Sequence, residues 1–161
     1  MFDITNTEDR DNRTYEQSYK INHYLLLLSR ICLSAIFLWS GINKIMNPLA
    51  TQEKMSDYGM PLTSVLLVAA IALEILGGLS VLLGIKPRLG AAMLITFLIP
   101  ATLIFHTNFS TEIEQAMFLK NLAMLGGLLM LIQHGGGNIA LWGADRLPLQ
   151  QASSGKNAES D

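Results

Sequence analysis

Four apolar stretches, at about residues 21–46, 62–85, 89–106 and 117–132, constrain this chain more than any other feature. A helix crosses the roughly 30 Å hydrocarbon core of a bilayer with about 20 residues. The stretches from Tyr24 to Met46 and from Leu62 to Ile85 are long enough, and those from Leu89 to His106 and from Met117 to Ile132 lie at the lower limit. A soluble bundle needs a polar stripe on every helix. The run from Leu62 to Leu73 has none, and neither does the run from Leu122 to Ile132. The runs do not alternate apolar and polar residues as barrel strands do, and a helix satisfies its own backbone in lipid. The expected fold class is all-α, a polytopic membrane four-helix bundle with spans at about 24–46, 62–85, 89–106 and 117–132. Around this 21–137 domain lie a polar N-terminal segment at 1–20 and a polar tail at 138–161.

Charge supports the same reading. Charged residues make up 15% of the chain, against roughly 25% in soluble domains, and 20 of the 24 fall outside the four stretches. The apolar content excludes a disordered chain, and the single cysteine, Cys32, excludes a disulfide-stapled one. A net charge of −2 gives no reason to expect nucleic-acid binding. The N-terminal segment lacks the apolar core and cleavage site of a signal peptide, so the first span is expected to remain as an anchor. Lys and Arg collect at Arg10, Arg13 and Lys20, at Lys86 and Arg88, and at Arg146 and Lys156. The other two loops hold only Lys54, with Lys44 at a membrane edge. The positive-inside rule therefore predicts both termini in the cytoplasm.

Four charged residues remain within the spans: Arg30, Lys44, Glu74 and Lys120. A charge at mid-bilayer costs about 2.5–3.5 kcal/mol on insertion scales, so such groups are usually paired or functional. From the span starts, Arg30 lies roughly 9 Å and Glu74 roughly 12 Å from the cytoplasmic edge. The similar depth predicts an Arg30–Glu74 pair, either a clamp or part of a site. Lys44, His106 and Lys120 lie near the outer ends of spans one, three and four, with Asn43 and Asn121 beside two of them. Such a cluster suits a soft anion or a carbonyl-bearing ring, although long side chains also snorkel toward water there. Arg30, Ser34, Phe37, Gly41 and Lys44 share one helical face.

Other features read as packing. Gly77-Gly78 and Gly126-Gly127 let helices approach closely, and the segment Leu73 to Leu82 echoes Leu122 to Leu131, hinting at two related hairpins. Pro100 is expected to kink the third span. His134 and the glycines after it lack the nucleophile elbow that would make them an oxyanion hole. His23, His106 and His134 lie near both membrane faces, so no metal site is expected, and no catalytic residue stands out.

Taken in order, Arg30, Ser40-Gly41-x-x-Lys44, Tyr58-Gly59-Met60-Pro61, Glu74 with Gly77-Gly78, Gly84-x-x-x-Arg88, His106, and Phe118-Leu119-Lys120-Asn121-Leu122 with Gly126-Gly127 resemble the DoxX family of small four-helix membrane proteins. The resemblance runs from Arg30 to about Gly137. It implies a bacterial inner-membrane bundle, in a family linked to thiosulfate:quinone oxidoreduction, oxidative-stress complexes, and catechol and quinone stress. The first expectation is a quinone-linked redox or oxidative-stress subunit with no covalent cofactor. In it Lys44, Glu74, His106, Lys120, Asn121 and Arg30 would form the ligand site for a quinone or small anion, beside a redox partner. The alternative is a non-catalytic accessory or assembly protein for a partner complex. A small transporter ranks last, because the few buried charges mark no pathway.

Overall fold

A computed structural model describes residues 5–135, with side chains from residue 24 onward. Five helices follow in order: α1 (Thr5–Met46), α2 (Pro48–Asp57), α3 (Thr63–Leu83), α4 (Pro87–Phe105) and α5 (Glu112–His134). No strand occurs among the described residues. Four segments are long and apolar enough to cross a membrane: Tyr24–Met46, Thr63–Leu83, Pro87–Phe105 and Glu112–His134. The all-α bundle is therefore as expected. Residues 5–20 of the polar segment are helical and run straight into the first span as part of α1. The tail at 138–161 lies outside the described residues.

The span limits shift by at most two residues from the expected ones except at the start of the fourth, and one helix is added. The fourth span begins at Glu112, because Thr111 caps α5 by accepting a bond from the Glu114 backbone N–H at 3.3 Å. Thr111-x-x-Glu114 carries the capping-box residue pattern, and the two acidic residues of the first turn suit the positive end of the helix dipole. The first loop contains α2, which apolarity alone does not reveal. Asn47 and Pro48 begin it, and Gly59 ends it at φ 72°. Gly59 N–H bonds to Ser56 O and Met60 N–H to Met55 O, which is the Schellman pattern. The Tyr58-Gly59-Met60-Pro61 motif is thus a helix stop.

The packing order is α1 against α3, α3 against α4, and α4 against α5, with little contact between α5 and α1. The glycines set this order. At Gly78 a Cβ would lie 2.8 Å from Leu38, and at Gly77 2.9 Å from Leu94, so α3 meets α1 on one face and α4 on the next. The two paired-glycine segments are not equivalent: Gly127 packs against Leu33, whereas Gly126 faces open space. Between α3 and α4 the chain reverses in three residues, Gly84 to Lys86, braced by the Ser80 hydroxyl donating to Ile85 O at 2.6 Å.

Phe37, Val81, Ala91, Leu94, Leu98, Leu128 and Leu131 form the buried core. Most of it fills the half of the bundle that holds the α3–α4 turn. The outward faces carry exposed Trp39, Val65, Val68, Leu103 and Leu122, the surface a bilayer would cover. Toward the α2 end the interior is lined by small residues such as Ser40, Ala69, Ala70 and Ala101, and there the packing opens.

Candidate functional site

The site begins with the close approach of α1 and α3. A Cβ on Gly41 would sit 2.8 Å from Ile75 Cδ1 and 3.3 Å from Glu74 Cβ, so a larger residue there would force Ile75 aside and press on the Glu74 stem. Lys44, one turn later, then reaches across. Its Nζ lies 3.1 Å from Glu74 Oε1 and 2.9 Å from Oε2. It also donates to Ser40 Oγ at 2.7 Å and stands 5.2 Å from the centre of the Phe97 ring. Glu74 is fully buried and the Lys44 side chain is 19% exposed. The Ser40-Gly41-x-x-Lys44 motif therefore supplies a hydroxyl, an approach point and a cation for one buried carboxylate.

The expected Arg30–Glu74 pair does not form. Arg30 is buried, but its guanidinium is directed at the end of α3, with Nε donating to Val81 O at 2.9 Å and Nη2 to Leu82 O at 2.8 Å. The last carbonyls of a helix have no intrahelical donors and carry the negative end of its dipole, so a cation is favoured there. Depth alone misassigned the partner: Lys44 has the reach and the shared face to meet Glu74, while Arg30 meets the helix end. Gly84 leaves room for this cap, since a Cβ there would lie 2.5 Å from Arg30 Nη2. Arg30 is absent from the cavity described next.

The other expected site residues do share one space. A cavity of about 810 Å³ lies within the α2 end of the bundle, lined by all five helices. Lys44, Glu74, His106, Lys120 and Asn121 all line it. Its walls are apolar and aromatic, with Phe37, Phe97, Phe105 and Met124 among them. Pro100 also lines it; lacking an N–H, it leaves the Thr96 carbonyl without its helical donor.

Each group in the wall has identifiable partners. His106 ends α4 and places Nδ1 2.8 Å from Glu114 Oε2 on α5. Asn121 donates to the Thr102 hydroxyl at 2.9 Å, and that hydroxyl donates to Leu98 O at 2.7 Å, so this amide joins α5 to α4. Lys120 is exposed and lies 3.2 Å from Met117 Sδ. The short helix α2 closes over this end. Ser64 Oγ donates to Gln52 at 2.9 Å, Tyr58 packs edge-on against Phe105 at 4.9 Å, and the Lys54 ammonium stands 5.6 Å from the same ring.

Four contributors were not assigned from sequence: Ser40, Thr102, Glu114 and Lys54. Glu114 was detectable through the capping pattern that starts α5, and Lys54 through the Asn47-Pro48 and Gly59 boundaries of α2. Ser40 stands in the Ser40-Gly41-x-x-Lys44 motif but has no role in the expected site, and Thr102 carries no signal beyond being polar in an apolar run. Among the described residues no three His, Cys, Asp or Glu side chains gather as metal ligands. The arrangement offers hydrogen-bond donors and positive charge at one end of an apolar cavity, which suits a ligand with acceptor oxygens and an apolar body.

Comparison with known proteins agrees with this architecture. The DoxX family model matches residues 25–107. The chain is 34% identical over 128 residues to "Inner membrane protein YqjF" of Escherichia coli (strain K12), covering 80% of this chain and 95% of the relative. It is 28% identical over 122 residues to "Inner membrane protein YphA" of the same organism, covering 73% of this chain and 87% of the relative. No solved structure matches.

Proposed function

The chain belongs to the DoxX family, and on that premise we propose that it is a bacterial inner-membrane subunit whose cavity holds the ring of a quinone for redox or oxidative-stress chemistry. The observation that carries this reading is the placement of Lys44, His106, Lys120 and Asn121 around one cavity of about 810 Å³ with apolar walls. Sites for small amphipathic molecules are mostly apolar clefts of about 300–1,000 Å³ with a few placed polar groups. The ring carbonyls accept hydrogen bonds from Lys120 and His106, and the isoprenoid tail lies along Phe97, Leu98 and Met124.

The protein's part is to bind, orient and exclude water, while the quinone supplies the redox chemistry when bound. The electrons come from a membrane partner or from a small donor reaching the α2 end. The Lys44–Glu74 pair sits in the wall as a fixed dipole beside the ring. The placing of Lys and Arg supports an orientation with both termini in the cytoplasm and α2 on the outer side.

The test is quinone binding to purified protein in nanodiscs, by intrinsic fluorescence quenching or calorimetry. Lys120→Ala and His106→Ala are expected each to weaken binding of a short-chain quinone by about tenfold, the equivalent of one lost charged or polar contact. Full retention in both variants overturns the reading.

A further inference from the structure

The charges around the cavity do not balance. Glu74 is the one carboxylate in its lining, and Lys44 meets it at 2.9 Å. His106 is met by Glu114 at 2.8 Å. Two further cations line the same space, Lys54 from the last turn of α2 and Lys120 from α5. Among the described residues neither has a carboxylate within ion-pair distance. Lys54 rests over the Phe105 ring and Lys120 against the Met117 sulfur. Both are weak partners that an anion would displace, since charge-assisted hydrogen bonds are roughly twice as strong as neutral ones. Glu53 and Asp57, the acidic residues of α2, do not line the cavity.

Two unmatched cations beside low-dielectric walls make a positive field that focuses on whatever occupies the cavity. From this we propose that Lys54 and Lys120 form a cationic clamp that selects ring ligands in ionised form, with a ring hydroxyl beside a carbonyl that is deprotonated at neutral pH, over neutral rings of the same shape. The proposal rests on the quinone reading above and adds Lys54, a residue outside the expected site, as a determinant of specificity. The neutralised Lys44–Glu74 pair is part of the device. It keeps the one buried carboxylate of the lining from repelling the anion.

The clamp also gives α2 a role. The helix is held at both ends, by Asn47-Pro48 and by the Gly59 stop, and it places Lys54 over the α4 end. An anion bridging Lys54 and Lys120 would tie α2 to α5, a pair of elements with no close packing of their own.

The experiment compares two probes with identical tails, a 2-hydroxy-3-alkyl-1,4-naphthoquinone, ionised at neutral pH, and its neutral 2-methoxy analogue. Both are titrated into protein in nanodiscs of zwitterionic lipid, with empty nanodiscs as the blank. The wild-type protein is expected to bind the ionised probe about tenfold more tightly than the neutral one, as two partly solvated charge contacts allow. That preference should shrink as salt is raised, because the clamp is within reach of solvent. Lys54→Ala with Lys120→Ala should bring the two affinities to within about twofold, while Lys54→Arg with Lys120→Arg keeps the preference. Both lysines are exposed, so their loss should leave the fold standing. Equal binding of the two probes by the wild-type protein overturns the clamp and leaves the quinone reading intact. Binding of neither overturns both. An unchanged preference in the double alanine variant, expected if the lysines merely reach for water, overturns the assignment of the clamp to these residues.

Discussion

At Lys44 one ammonium meets a carboxylate, a hydroxyl and an aromatic face, all inside a membrane-spanning bundle. Removing one partner of a buried pair leaves an uncompensated charge, which costs more than the pair itself contributes. Lys44→Met should therefore destabilise the protein by about 3–5 kcal/mol, seen as a lower melting temperature in detergent. Adding Glu74→Leu should recover most of the loss, because the orphaned carboxylate is removed with it. A single variant as stable as the parent would show that the pair does not hold the bundle. Gly84 and Gly59 offer a second comparison at this scale. Both have φ 72°, but a Cβ at Gly59 meets open space while at Gly84 it meets the Arg30 guanidinium. Gly59→Ala should cost about 1–2 kcal/mol, the usual cost of a left-handed non-glycine residue. Gly84→Ala should cost distinctly more on the same thermal assay, since it also dislodges the cap on α3.

Among the helices, α3 is the hub, and its paired glycines are why. Gly77 lies within a Cβ's reach of Leu94 and of the Gly90 carbonyl, and Leu94 is fully buried, with no room to retreat. Gly77→Ala should destabilise by about 1–3 kcal/mol through overpacking. The sequence echo at Gly126 should behave in the opposite way, because nothing lies near it. Gly126→Ala should be neutral or slightly stabilising, since alanine is the better helix former. Parallel thermal melts of the two variants decide this, and equal losses would mean that the α3–α4 seam is looser than its geometry implies. The same contrast shows the limit of the repeat seen in the sequence: the glycines recur, but only one pair is used on both faces.

For the whole molecule, four spans place the two membrane-crossing ends on one side, and the charges choose which. The α3–α4 turn should face the cytoplasm and the α4–α5 loop the outside. In a Cys32→Ser background, Asn108→Cys should react with an impermeant maleimide in intact spheroplasts, and Ile85→Cys only after permeabilisation. The reverse pattern would invert the orientation and turn the cavity toward the cytoplasm. The bundle is also uneven along its length. Its core is solid near the α3–α4 turn, and its cavity lies at the α2 end, where Ala69, Ala70 and Ala101 stand in the lining.

The amino-acid order by itself determined the class of fold and the number of spans, because the cost of burying unpaired backbone in lipid leaves an uninterrupted apolar run few options. It also determined the inner face of α1, since helical spacing puts Arg30, Ser34, Phe37, Gly41 and Lys44 on one side, and all five are buried or nearly so. Five of the six expected site residues line one cavity: Lys44 and His106 from the ends of α1 and α4, and Glu74, Lys120 and Asn121 from within α3 and α5. What only the tertiary structure decided was which charge meets which. Glu74 took Lys44, and Arg30 took the carbonyls at the end of α3, because partner choice depends on side-chain reach and on helix ends rather than on depth alone. The same holds for α2 and its Lys54. A ten-residue polar helix has no apolar signature, and its position over the cavity depends on contacts with α3 and Phe105 that the linear order does not display.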